Sequence, residues 1–214
     1  MIFGHVFLVT DRKLSQKNGR SLSETVKRVL ELAPHGSVSV QLREKDLSEQ
    51  DLTKEAKSLS GICANFQAPF FVNRNVSVAM ASRADGVHFP EDSSEQDFLS
   101  AKNAGLAIGM SAHSVSTAIR ARELGVDFLF AGPMLETPAK RKYGPPLGPS
   151  GLQKIISSSG DVPVFAIGGI NRPSHAKHAL ELGARGIAAI GLFAKGTNEE
   201  IRAVIAQTPT LAEG

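Results

Sequence analysis

The chain has 214 residues, 42% of them apolar, a formal net charge of +3 and a single cysteine. That length and apolar share allow a sizeable core, while the small positive balance, with no Lys/Arg run interleaved with aromatics, argues against nucleic acid and suits an anionic small molecule. Cys63 alone excludes an internal disulfide, no apolar stretch reaches membrane-spanning length, and Met1-Ile2-Phe3-Gly4-His5 runs straight into a strand without a signal-peptide pattern, so a cytoplasmic protein is expected.

Taken in order, the pattern alternates strand and helix. Val6–Thr10 reads as a strand, followed by a polar loop and a helix over Leu22–Ala33, where Ser21 and Glu24 have capping-box spacing. Val38–Leu42 is the second strand, and Ser48 caps a helix to about Asn65. Phe70–Val72, a short helix at Val76–Ser82, and Gly86–His88 follow. A helix near Glu95–Ala104 leads to a strand at Leu106–Met110, and a helix at Ser114–Leu124, closed by Gly125, leads to Phe128–Ala131. After a helix at Gly151–Ser158 come the strand Val162–Ile167, a helix over Ser174–Leu182 with Pro173 in its first turn, and the strand Gly186–Ile190. Asn198–Ala206 is the last helix. Eight strands, each followed by a helix and with no linker-like shift in composition, predict one α/β domain over 1–214, a (β/α)8 barrel. An open doubly wound sheet ranks below it, because no G-x-G-x-x-G follows the first strand.

In such a barrel, function sits where strands pass into the following loops. The residues there are polar or glycine: Thr10 and Asp11, Gln41, Arg43 and Lys45, Asn73, His88, Ser111 and His113, Gly132, Gly168-Gly169 and Gly191. Gly168-Gly169 after the seventh strand and Gly191 after the eighth suit a phosphate cradle of backbone N–H groups, or alternatively a plain tight turn. Alternation puts Gln41, Arg43 and Lys45 on one side, able to hold a pyrophosphate or a carboxylate, or alternatively to join a rim salt-bridge network with Glu44.

Together these stretches resemble the thiamine phosphate synthase and TenI family. The matching segments are LVTDR (Leu8–Arg12), VQLREK (Val40–Lys45), FFVNRNV (Phe70–Val76), ADGVHFPEDS (Ala84–Ser93), IGMSAHS (Ile108–Ser114), FAGPMLETPAK (Phe130–Lys140), and FAIGGI with GIAAIG. The resemblance implies a small-molecule thiazole phosphate as ligand, with its phosphate on Gly168, Gly169, Ile190 and Gly191.

The family contains two reactions. Its synthases couple a pyrimidine pyrophosphate to the thiazole phosphate with Mg²⁺, held by one Asp of an N-D pair after the third strand and another in an H-x-G-Q-x-D run after the fourth. Here those two positions are Arg74 and Ser93, and an arginine offers hard Mg²⁺ no ligand unless Glu91 or Asp92 compensates. Glu136-Thr137-Pro138-Ala139-Lys140 in place of P-T-E-T-K, and Pro90 after the fourth strand, look more like the TenI branch. Enzymes of that branch can act as thiazole tautomerases, moving a proton in a carboxylated thiazole phosphate so that its ring becomes aromatic, with neither metal nor cofactor.

Such a reaction needs one group that takes and returns a proton, and His113 stands where the tautomerase pattern puts its histidine. An imidazole does this near neutral pH. The other role for His113 is to cap the helix near Ser114 or bond a neighbouring loop. His88 reads as a structural residue under the rim, and His5, His35, His175 and His178 are assigned no chemistry. The expected contacts are therefore Arg43, Lys45 or Lys140 on the carboxylate, with Gln41, Asn73, Ser111 and Thr137 completing the site. The loop Met134–Pro149, with four prolines and the run Lys140-Arg141-Lys142, is expected either to fold over the substrate or to be a solvated excursion. A thiamine phosphate synthase using Mg²⁺ and a non-catalytic thiamine-phosphate-binding regulator are the alternatives. The pattern also allows a homo-oligomer.

Overall fold

A computed structural model describes residues 3–137 and 144–209. Eight parallel strands close into a barrel in sequence order, the first pairing with the eighth. They are β1 (Val6–Val9), β2 (Val38–Leu42), β3 (Phe70–Asn73), β4 (Gly86–Phe89), β5 (Ala107–Ala112), β6 (Phe128–Ala131), β7 (Val164–Ile167) and β8 (Gly186–Ala189). Nearly every strand residue is buried, as a parallel sheet covered on both faces requires. The helices around it are α1 (Arg12–Lys17), α2 (Leu22–Glu31), α3 (Glu49–Asn65), α4 (Val76–Ala81), α5 (Glu95–Asn103), α6 (Val115–Leu124), α7 (Gly148–Ser158), α8 (Pro173–Glu181), α9 (Gly191–Lys195) and α10 (Asn198–Ile205). Among the described residues no helix is long and apolar enough to cross a membrane.

The expected caps form. Ser21 and Glu24 complete a capping box, Ser48 accepts from the Asp51 N–H, and Gly125 ends α6 at φ 65°. Two helices stand where the sequence pattern predicts none. The "polar loop" after β1 is α1, whose N-cap Asp11 accepts from the Leu14 N–H, and α9 follows β8 directly. Both are too short to show an apolar stripe, and they pack against each other. β5 runs on to Ala112, and β7 starts at Val164 rather than Val162 because Pro163 has no N–H for the ladder.

Two side-chain layers follow from strand alternation. One set, including Val6, Leu8, Val40, Val72, Met110, Leu129 and Ile187, packs outward against the helices. The other fills the barrel: Phe7, Phe71, Phe128, Phe130 and Phe165 meet edge-on or stacked, with centroids 4.8 Å apart for Phe7–Phe165 and 4.9 Å for Phe7–Phe128. Such rings fit only because small residues face them. A Cβ on Gly109 would lie 2.2 Å from the Phe128 ring, and one on Gly86 would lie 2.6 Å from Phe71. We expect Gly109→Ala to cost on the order of 3 kcal/mol through overpacking. That lowers the melting temperature by roughly 6–12 °C for a chain of this size, read in a thermal melt. An unchanged melt would mean that the aromatic layer yields.

Candidate active site

The polar residues gather at the carboxyl ends of the strands. By register, Gln41, Asn73, His88 and Ser111 all continue the inward-facing series above the phenylalanines. Gln41 is buried at 1% exposure and donates its amide to Asn73 Oδ1 over 3.3 Å, while its own Oε1 has no partner among the described residues. Asn73 and Ser111 are half-buried beside it.

The rim after β2 differs from the salt-bridge network that was one reading of the sequence. Glu44 takes the other side from Arg43, accepting from the Thr10 hydroxyl at 2.6 Å and from the Arg12 N–H at 3.0 Å. Burial raises its pKa, and these hydrogen bonds oppose the rise. The Thr10 hydroxyl oxygen in turn accepts from the Arg43 N–H (2.9 Å), so β1 and β2 are tied at their ends. Asp46, not Glu44, pairs with Arg12 and Lys13, at 2.8 Å each. Arg43 is half-buried and, among the described residues, in no ion pair. Burial lowers its guanidinium pKa, with the charges of Asp11 and Glu44 opposing. Lys45 is exposed on the same rim. Thr137 is half-buried at the edge of the β6–α7 loop, and Lys140 lies outside the described residues. The two ends of that loop meet, since Leu147 N–H donates to Pro133 O and Gly148 N–H to Met134 O.

The two histidines near the mouth part company. His88 is buried, its ring lies 4.4 Å from that of Phe130, and among the described residues neither ring nitrogen makes a well-formed hydrogen bond. Burial, with the Arg43 charge second, pushes its pKa down to about 3, which favours the neutral ring at neutral pH. His113 is exposed at the mouth. Ser114, not His113, caps α6; His113 reaches the neighbouring loop, with Nδ1 bonded to the Gly132 carbonyl. A carbonyl only accepts, so Nδ1 carries the proton and the neutral ring presents a bare Nε2.

Next to it the glycine turn is built as a nest. Gly168 and Gly169 have φ of 97° and 78°. The Met134 N–H donates to Ile167 O (2.8 Å), the Leu135 N–H to Gly168 O (3.0 Å), and His175 Nδ1 to Gly169 O (3.1 Å). In a trans peptide the N–H points opposite to the C=O, so these three bonds turn the N–H groups of Gly168, Gly169 and Ile170 the other way. None of the three donates to the protein among the described residues. Beside them, the first N–H groups of α9, on Gly191 and Leu192, also have no intrahelical partner. Two elements therefore present free donors together, an arrangement suited to an anion. His175, assigned no chemistry from its sequence position, holds the back of this turn; only the fold brings it there.

The two metal positions implied by the resemblance offer little to a divalent cation. Arg74 sits at φ 66°, its N–H donating to His88 O (3.0 Å), and its guanidinium pairs with Asp92 at 3.0 Å. Glu91 accepts from the Thr117 hydroxyl (3.0 Å), and Arg120 donates to the carbonyls of Glu91 and Ser93 at 2.7 and 2.9 Å. One oxygen of each nearby carboxylate is thus hydrogen-bonded, and a guanidinium stands at one of the two positions where an oxygen anion is needed. Among the described residues no three His, Cys, Asp or Glu side chains cluster as a metal set.

The family model for thiamine monophosphate synthase matches residues 6–193. The "Putative thiamine-phosphate synthase 2" of Aquifex aeolicus is 35% identical over 190 residues, covering 88% of this chain and 96% of that protein. The "Thiamine-phosphate synthase" of Clostridium novyi is 34% identical over 199 residues, covering 92% and 93%. The solved structure of a thiamine phosphate pyrophosphorylase from Pyrococcus furiosus superposes with a TM-score of 0.79 at 31% identity over 94% of each chain. These names are those of synthases, so the comparisons do not carry the expected leaning toward the TenI branch. The chain belongs to the thiamine phosphate synthase and TenI family, and it is an enzyme of thiamine phosphate biosynthesis.

Proposed function

We propose that this enzyme is a thiazole tautomerase that needs no divalent metal. The phosphate of a carboxylated thiazole rests on the N–H groups of Gly168, Gly169 and Gly191, with Ile190 beside them. Its carboxylate faces Arg43 and Lys45, and Gln41, Asn73, Ser111 and Thr137 border the ring. Nε2 of His113 takes a proton from a ring carbon, and the imidazolium returns it at another ring position. The Gly132 carbonyl holds the ring by its Nδ1–H throughout. Atoms and electrons balance, because the product is an isomer of the substrate.

The observation that carries this reading is the Arg74–Asp92 ion pair, since a guanidinium stands at one expected metal position and pairs with a carboxylate near the other. The relatives' names favour a second reading, a transferase that couples a hydroxymethylpyrimidine pyrophosphate to the thiazole phosphate with Mg²⁺. Such a step requires neutralisation of the departing pyrophosphate, which this donor set is poorly made to supply through a metal.

Product formation from each substrate set, with Mg²⁺ and with a chelator, separates the readings. We expect the carboxylated thiazole phosphate to be aromatised equally in both conditions, and the coupling reaction to be slow and indifferent to Mg²⁺. Robust coupling that Mg²⁺ accelerates would establish the synthase instead. Binding of thiazole phosphate without turnover of either set would mark a non-catalytic regulator.

A further inference from the structure

At the end of α9 opposite Gly191, two arginines grip the helix by its carbonyls. Arg28, on α2, donates from Nη2 to Phe193 O (2.8 Å) and from Nη1 to Gly196 O (3.1 Å) and Asn198 Oδ1 (3.2 Å). Arg20, just before α2, donates from Nη2 to Ala194 O (3.3 Å). Leu192 O is taken by the N–H of the C-cap Gly196 (2.8 Å), so the carbonyls of Leu192, Phe193 and Ala194 are all satisfied, the latter two from outside the helix. The arginines reach it across 165 to 174 residues of sequence.

Fastening a helix needs no charge, because an amide side chain satisfies a carbonyl. Here two guanidinium groups stand close enough that Arg20's charge adds to burial in lowering the pKa of Arg28. Neither is in an ion pair with a carboxylate among the described residues. Like charges side by side are unfavourable unless something negative compensates, and the carbonyl end of α9 carries that partial charge. Its other end faces the glycine nest. In a helix this short internal hydrogen bonds contribute little, so the direction of its free N–H groups depends on the burial of Leu192, Phe193 and Ala194 and on what grips its far end.

We propose that Arg28, seconded by Arg20, is a positioning residue for the substrate's phosphate. It pins α9 so that the N–H groups of Gly191 and Leu192 stay aimed at the anion shared with Gly168 and Gly169. This rests on the phosphate cradle of the proposed function, and the test distinguishes the two.

The measurement is the affinity of the intact protein for a thiazole phosphate and for the same thiazole bearing a free hydroxyl. The wild type is expected to prefer the phosphate strongly, and Arg28→Ala to lose about tenfold of that preference, the scale of a set of charged hydrogen bonds. Affinity for the alcohol stays unchanged, and Arg28→Lys recovers part of the loss. In turnover, KM rises for Arg28→Ala while kcat at saturation is retained. A folded Arg28→Ala with the full wild-type preference overturns the proposal. A wild type that does not discriminate phosphate from alcohol overturns the cradle itself. Should Arg28→Ala fail to fold, Arg20→Ala is read in the same way, with an expected loss of about threefold for its single long bond.

Discussion

His113→Ala is expected to abolish tautomerisation, lowering kcat by roughly two to four orders of magnitude, the usual worth of a positioned general acid–base group. The substitution removes an exposed side chain that, among the described residues, bonds the Gly132 carbonyl and nothing else, so the fold should survive. Affinity for the phosphate should survive as well, because the glycine nest is held by Met134, Leu135 and His175 and does not involve His113. Single-turnover aromatisation together with a direct binding measurement checks both halves. An alanine variant that still aromatises its substrate would take His113 out of the mechanism. His88 is no fallback, since its buried ring is held neutral.

The barrel was legible because its strands are short apolar runs spaced by capped helices, and Ser21, Ser48 and Gly125 each do what local chemistry dictates. The turn at Gly168-Gly169 was legible for a similar reason: two successive glycines at a strand end are a local signal. What escaped the sequence was non-local. His175 bonds a carbonyl six residues earlier, but only the placement of the nest gives that bond meaning. Glu44 looked like a rim anion for Arg43 and Lys45, whereas Thr10 and the Arg12 N–H, more than thirty residues away, claim it. The helices α1 and α9 are made by a cap and by tertiary grip rather than by an apolar stripe, so periodicity does not reveal them.

On the proposed reading, Arg74 is the position that denies the site a divalent metal. Its backbone is in the left-handed region, which costs a side-chain-bearing residue roughly 1–2 kcal/mol, and the hydrogen bond to His88 O fixes it there. The loop geometry is therefore independent of the charge it carries. An aspartate on this backbone would sit in the same strained turn, so the change to arginine alters electrostatics without altering the frame, and the pairing with Asp92 follows from proximity.

Gly169→Ala is expected to be the most damaging single change to ligand binding. At φ 78° an alanine meets the left-handed penalty of about 1–2 kcal/mol. Its Cβ would also stand 2.5 Å from Leu135 Cβ and 3.2 Å from the Leu135 carbonyl atoms, which are anchored by the Leu135 N–H bond to Gly168 O. The turn must then rotate or the β6–α7 loop must retreat, and either movement swings the Gly168, Gly169 and Ile170 N–H groups off a common centre. We expect phosphate-ester affinity to fall by about 10- to 100-fold, since each 1.4 kcal/mol is tenfold. The melting temperature should fall by only several degrees, as the strain is confined to the rim. Gly191→Ala is the internal control: its φ lies outside the left-handed region and, among the described residues, its Cβ would meet only the Lys195 side chain, at 3.5 Å. It should leave stability untouched while the added methyl crowds the anion. If Gly169→Ala bound the phosphate ester as tightly as the wild type, the nest would be a turn and nothing more.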